Sequence, residues 1–512
     1  MKLDFVKSTK RNVPAVALNR VLDMAFPFLN RTLFLWLLGP EYLGLNGLFR
    51  SVIGVLSLAE LGFGMAIDCS MYKAIAEDDS RLVCAYLKFY RTVYRCVGSA
   101  IFGIGLVLLP FLRSLVHGDV PADVDLHVLY LIHLVNTSLG YFLFAYRRSV
   151  LGAYNRKDVL ANIATSVSMA QYAAVFLVLL LTRNYYCYVA VTVVFTALGN
   201  LLVYWQSRRL FPEALPQGRL PDAQRRKVVS DVKALFMHKV GSAVSFTFDN
   251  VVVSAFLGLV AVAAYGNYYY VYTAVAGFVG ILSYSMMGGF GNKIYTESRD
   301  ENFRLFMKAN RYVTLVVAWC SAMMVALFQP FITVWTKGNP ELVRHFLTPA
   351  LVVVFFYVSQ SRLVFQTFKS AAAIWREDRW KPIVSAAANL AMNLSFIMFL
   401  PEEYKLDGVI LSTILAFVLI EIPWESHVLF TVFFGSVHAR AYWRSQAAFL
   451  AVTIVLCAVA WGTAALVPMD GLGGLCAKGA AAAAAASCAA FAMFRNDVKA
   501  MFAVLRKEKS RK

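Results

Sequence analysis

Charge is what this chain has least of. Only 15% of its 512 residues are Asp, Glu, Lys or Arg, while 59% are hydrophobic, a balance outside that of soluble globular domains. Acids are scarcer still, with 30 Asp and Glu against 49 Lys and Arg. The eight cysteines (Cys69, Cys84, Cys96, Cys187, Cys320, Cys457, Cys476 and Cys488) are scattered in or beside apolar runs. With no CxxC pair and no Cys/His cluster, neither a disulfide framework nor a metal site is supported. The seven histidines are dispersed as well. No nucleotide loop and no nucleophile–base pair stands out. The basic start, MKLDFVKSTKRN, leads into a long span without a small-residue cleavage site, so no removed signal peptide is expected.

What the chain has instead is a succession of fourteen apolar stretches: 13–38, 43–66, 95–113, 126–145, 159–182, 185–206, 233–256, 261–289, 311–335, 345–367, 382–400, 407–425, 444–467 and 474–494. Most approach the ~20 residues that cross hydrocarbon. The last is the weakest, because Ala480–Ala486 is only mildly hydrophobic and Lys478 precedes it. The reading is an all-α polytopic membrane protein of about fourteen transmembrane helices.

The connections alternate in charge. One set is basic, including Lys2, Lys7, Lys10 and Arg11, then Arg147, Arg148, Arg156 and Lys157, then Arg208 to Lys227, then Lys369, Arg376, Arg379 and Lys381, and the tail Arg506 to Lys512. The other set is short and mostly acidic, with Glu41, Asp119, Asp123, Asp125, Glu402, Glu403, Asp407 and Asp470. The positive-inside rule places the basic set and both termini in the cytoplasm, which requires an even number of spans. The net charge of +19 then reflects topology and contact with anionic lipid headgroups, not nucleic-acid binding.

The widest polar interruption, 207–232, holds three prolines. It suggests an N-lobe of six spans (1–206), a cytoplasmic linker (207–232), a C-lobe of six spans (233–425), two further spans (426–494) and a basic cytoplasmic tail (495–512). An ungapped shift of 219 residues lays Gly39 on Gly258, Gly47 on Gly266, Arg20 on Lys239 and Asn30 on Asp249. Repeats with an even number of spans run parallel, related by an axis along the membrane normal, so the two lobes are pseudo-symmetric.

Two spans carry polar residues along one helical face. Arg20, Asp23, Pro27 and Arg31 recur at i, i+3, i+7 and i+11, and Lys239, Ser242, Phe246 and Asn250 repeat the spacing, with Asp249 alongside. A charge at the centre of a membrane helix costs about 2.5–3.5 kcal/mol on insertion scales, so such a stripe faces protein or water. The expectation is a hydrated, cationic interior, and hence transport.

The stretches RTLFLWLLGPEYLGLNGLFRSVIGVLSLAELGFGMAI (31–67), SMYKAIAEDD (70–79) and HKVGSAVSFTFDNVVVSAFLGLVAVAAYGNYYYVY (238–272) resemble the polysaccharide exporters. These are lipid-linked oligosaccharide flippases of the multidrug/oligosaccharidyl-lipid/polysaccharide superfamily. Ala263 departs from the pattern, standing where a glycine precedes the tyrosine-rich segment. The resemblance implies two helical lobes around a central cavity in a bacterial inner membrane. It further implies alternating access that moves a polyprenyl-pyrophosphate-linked oligosaccharide from the cytoplasmic to the outer leaflet. Membrane lipids are then partners, with a polysaccharide polymerase and glycosyltransferases as candidate ones. No cofactor is expected beyond coupling to H+, Na+ or the membrane potential.

Charge and depth suggest the site. Arg20 and Lys239 lie roughly seven residues, about 10 Å, from the cytoplasmic ends of their spans, and Arg31 and Arg50 lie similarly near the outer ends. Arg binds phosphate oxygens bidentately and Lys as a point charge, so the four form candidate pyrophosphate contacts. The bland alternative pairs Arg20 with Asp23 and Arg50 with Glu60. Asp23, Glu60 and Asp249 are candidate coupling acids or counter-ions. Arg362, beside Gln360, Gln366 and Lys369, is a candidate headgroup contact at the cytoplasmic mouth, with snorkelling to the interface as its alternative. Tyr265, Tyr268 and Tyr269 are candidate sugar-stacking residues, or an interface belt. Two rival functions remain: a cation-coupled multidrug antiporter of the same fold, and a membrane glycosyltransferase or polysaccharide polymerase.

Overall fold

The computed structural model describes residues 25–57, 71, 74–75, 77–117, 120–154, 156–294, 297–372, 374 and 377–493, with backbone only for 157, 230–247, 282–285, 287–289 and 291–292. Among the described residues every regular element is helical. Among these described residues nine helices are long and apolar enough to span a bilayer, ten when the bent pair Leu126–Phe142 and Ala145–Ala153 is one span. These ten coincide with ten of the fourteen expected spans. Of the other four, 13–38 and 43–66 fall partly outside the described residues, and 233–256 and 261–289 include residues described by their backbone only.

The chain forms two compact units, Met1–Ala263 and Ala264–Lys512. The first holds α1 (Ala25–Leu38), α2 (Pro40–Leu56), α3 (Ser80–Leu108), α4 (Leu126–Phe142), the short α5 (Arg148–Ala153), α6 (Lys157–Thr182), α7 (Tyr185–Leu210), α8 (Asp222–Leu257) and the first turn of α9 (Leu259–Ile294). Side-chain caps start several of them: Asp79 accepts from Leu82 N at 2.9 Å, Asp125 from His127 N at 2.8 Å and Asn184 from Cys187 N at 3.2 Å. Each satisfies amides that the first helical turn leaves without carbonyls.

Gly39 (φ 108°) breaks the chain between α1 and α2, and Gly258 (φ 88°) breaks it between α8 and α9. These are the two positions matched by the 219-residue shift, and both use a conformation that side chains other than glycine's resist. The second half of the stretch expected as a linker is helix from Asp222 onward. All three prolines precede that point, and Asp222 in the first turn suits the positive end of the helix.

The second unit holds the rest of α9, then α10 (Arg299–Trp335), α11 (Leu347–Ser361) running into α12 (Leu363–Ala371), α13 (Lys381–Phe399), α14 (Lys405–Ala416), α15 (Ile422–Leu429), α16 (Val437–Ala465) and α17 (Gly471–Met493). A capping box between Ser298 and Glu301 starts α10. Two π turns, Phe417–Glu421 and Phe430–Phe434, flank α15.

The mildly hydrophobic last span is explained by packing. Ala482, Ala486 and Ala490 of α17 bury against Ala318, Ala322 and Ala326 of α10 and Ala460 and Ala464 of α16. Small residues four apart let helix backbones approach closely where hydrocarbon supplies no hydrophobic drive. Outward, Phe399 is 83% and Val437 86% exposed, surface that a bilayer covers.

Candidate substrate site

Arg31 is partly buried on α1 and has an interaction partner. Arg50 is exposed on α2, and its charge acts on His133 and Tyr185. Beside it stands an aromatic cluster. Phe49 lies 5.5 Å from the His133 ring and 5.6 Å from Tyr130, while Phe34 lies 5.3 Å from Tyr185 and 4.8 Å from Tyr188. The Tyr185 hydroxyl meets His133 Nε2 at 3.4 Å. The loops next to this cluster are the acidic ones: Tyr42 donates to Asp123, and Asp125 N donates to the Tyr186 hydroxyl at 2.7 Å. The cluster therefore occupies the outer half of the unit.

The second polar stripe meets α2 at the same depth. Asn250 Nδ2 donates to Ser51 Oγ at 2.9 Å, one residue from Arg50, and Asp249 is fully buried with a partner. Gly44 permits this approach, because a Cβ there would stand 1.9 Å from the Leu259 carbonyl oxygen. Arg20, Asp23 and Glu60, and the side chain of Lys239, lie outside the described residues. Arg147, expected among loop cations, is instead buried: it donates to the Ala214 carbonyl at 2.7 Å between the Tyr146 and Tyr204 rings.

In the second unit Arg362 does not snorkel. Only 4% exposed, it places Nε 2.9 Å from Glu425 Oε2 and Nη2 2.8 Å from Glu425 Oε1, and it also pairs with Glu421. Lys381 meets Glu425 at 2.6 Å and Glu421 at 3.5 Å, and Lys369 pairs with Asp378. Three cations and three carboxylates thus bury together, their charges balanced. Sequence reasoning counted Lys369 and Lys381 as loop charges and missed all three acids. The signal available was Glu421 and Glu425 at i, i+4 in the apolar run that pairs with spans ten and eleven.

The tyrosines are packed against protein. Tyr268 is fully buried, stacks on Phe328 at 5.5 Å and accepts from Arg344 N at 3.0 Å. Tyr265 stacks on Tyr269 at 5.9 Å, and Tyr269 lies 5.1 Å from Tyr272. With its face covered by Phe328, Tyr268 serves helix packing here, and no belt at the interface is formed by it. A separate polar knot lies between α13 and α14, where Ser412 Oγ donates to Asn389 Oδ1 at 3.0 Å and also bonds Asn393.

Arginine and amide groups held at hydrocarbon depth by a helical scaffold define a multi-pass membrane protein of the transport class. The chain belongs to the family described as polysaccharide biosynthesis protein, whose pattern residues 9–286 match. No curated protein matches it in sequence. Among solved structures, the lipid II flippase MurJ in its inward closed conformation superposes with TM-score 0.70 at 11% identity, over 94% of this chain and 99% of MurJ. An inward-facing multidrug resistance MATE family transporter of the MOP superfamily gives 0.58 at 14% identity, over 79% and 94%. A Vibrio cholerae MATE transporter, VcmN in mutant form, gives 0.53 at 13%, over 80% and 94%. At these identities the likeness is one of fold.

Proposed function

We propose that this protein is a flippase that carries a polyprenyl-pyrophosphate-linked oligosaccharide from the cytoplasmic to the outer leaflet of a bacterial inner membrane, by alternating access. The observation that carries the reading is Arg50. The residue is exposed on an apolar helix, beside an aromatic cluster, and makes no ion pair with a described residue. Left against acyl chains it costs about 2.5–3.5 kcal/mol, so it belongs to a wet or anion-bearing surface. Family membership supplies the cargo class, and a pyrophosphate suits the planar guanidinium fork.

Arg20, Arg31 and Lys239 extend the cationic contacts, and Asp249 is the described candidate for coupling to a proton or sodium gradient. Polymerase and glycosyltransferase partners follow from the same reading. The multidrug antiporter fits less well, since a cationic drug favours an acidic lining. Fluorescent lipid-linked glycan reconstituted in liposomes tests the assignment. Movement across the bilayer that Arg50→Gln slows, without efflux of cationic dyes, supports it; dye efflux with no glycan movement rejects it.

A further inference from the structure

A lateral cleft of about 310 Å³ opens in the second unit between α11, α12, α15 and α16, walled by Phe365, Trp443, Ala447 and Leu450 beside the Arg362–Glu425 pair. That volume sits at the lower end of the roughly 300–1,000 Å³ typical of ligand pockets. The charges beneath are already balanced, so the floor does not itself recruit an ion. Trp443 and Leu450 are 43% and 46% exposed on a membrane-spanning helix, so the mouth opens toward lipid.

Three further facts point to the occupant. Arg440 and Arg444 are exposed near the basic, cytoplasmic end of α16, and neither makes an ion pair with a described residue. Residues 440, 443, 444, 447 and 450 fall within about 120° of one another around the helix, so Arg440 lies about one turn nearer the cytoplasm than Trp443, and Arg444 flanks the edge of the cleft without lining it. Tryptophan beside them is the side chain that settles at the boundary between headgroups and hydrocarbon. The wall formed by α15 is bounded by the two π turns, distortions that concentrate at functional sites.

We propose that this cleft binds an anionic phospholipid of the cytoplasmic leaflet. Its phosphate rests on Arg440 and Arg444, and one acyl chain descends past Trp443 and Ala447 to Leu450 and Tyr357. All of its groups belong to the second unit, and the proposal does not depend on the flippase assignment.

The full-length protein, reconstituted in bilayers of mixed phosphatidylethanolamine and phosphatidylglycerol and then extracted, is analysed by native mass spectrometry for retained lipid. The wild type retains phosphatidylglycerol preferentially. Arg440→Gln with Arg444→Gln weakens that retention about thirtyfold, from two surface cations. Ala447→Trp fills the cleft and releases the lipid with both arginines in place; an unchanged thermal unfolding midpoint in the double arginine variant confirms an intact fold. Equal retention of the two phospholipids by the wild type overturns the proposal, as does undiminished phosphatidylglycerol in the arginine variant. Displacement of phosphatidylglycerol by a lower concentration of polyprenyl phosphate also overturns it, assigning the cleft to the carrier lipid.

Discussion

Arg362 and Glu425 face each other fork to fork across 63 residues of sequence, with both bonds at 2.8–2.9 Å and both side chains buried. Each would be costly in hydrocarbon alone, and together they tie the inner end of α11 to α15. Removing either one leaves the buried cluster with an uncompensated charge, because the remaining ions no longer balance. Arg362→Met or Glu425→Met is expected to lower stability by about 3–5 kcal/mol. The double substitution leaves Lys369 and Lys381 against Asp378 and Glu421, still balanced, and recovers most of that loss. Thermal unfolding in detergent measures all three variants; additive losses in the double variant would show that the two charges do not depend on one another.

Arg50 has the opposite character, exposed and without an ion pair to a described residue. Arg50→Gln is expected to cut glycan delivery at least tenfold, a loss of about 1.4 kcal/mol of headgroup interaction, while the protein stays at wild-type level in the membrane. Arg31→Gln and Lys239→Gln are expected to act in the same direction. Surface-glycan staining against quantified protein decides the matter, and full delivery by all of these variants removes the assigned contacts.

Gly44 tests the close approach of α2 to the start of α9. A methyl group at this position collides with backbone, which cannot swing aside as a flexible side chain does. Gly44→Ala therefore lowers the unfolding midpoint and glycan delivery together. Gly103→Ala, where a Cβ meets nothing within 4 Å, leaves both unchanged. Equal behaviour of the two variants would count against the contact.

The alanine seam makes a third pair of outcomes. Ala486→Leu overpacks the α10–α16–α17 contact and is expected to cost about 1–3 kcal/mol. Ala484→Leu, on the exposed face of the same helix, is expected to change stability by no more than about 0.5 kcal/mol. Chemical or thermal unfolding of the two variants, side by side, reads the difference.

The helical architecture was legible because hydrocarbon imposes one dominant rule, runs of apolar residues long enough to cross it. The repeat was legible in Gly39 and Gly258, where one unusual backbone geometry demands one residue type. The pairing of charges was not. Lys369 and Lys381 look like ordinary cytoplasmic cations until Glu421 and Glu425 are brought opposite them by tertiary packing. Tyr268 likewise shows an aromatic signal in sequence, and only its contact with Phe328 distinguishes a packed ring from one offered to a sugar. Within 207–232 the prolines all precede the start of α8, and DAQRRKVVS, though polar, has the composition of a solvent-exposed helix.

The two π turns around α15 carry a consequence for how the twelfth span can vary. Each accommodates one residue beyond the regular winding and swings everything after it by about 100°. Deleting a single residue within Phe417–Glu421 would let the rod rewind, turning Glu425 off the face that meets Arg362 even though no charged group had been altered. Length, as well as chemistry, is thus constrained in this stretch, and a natural insertion or loss there would have to be matched by a second one.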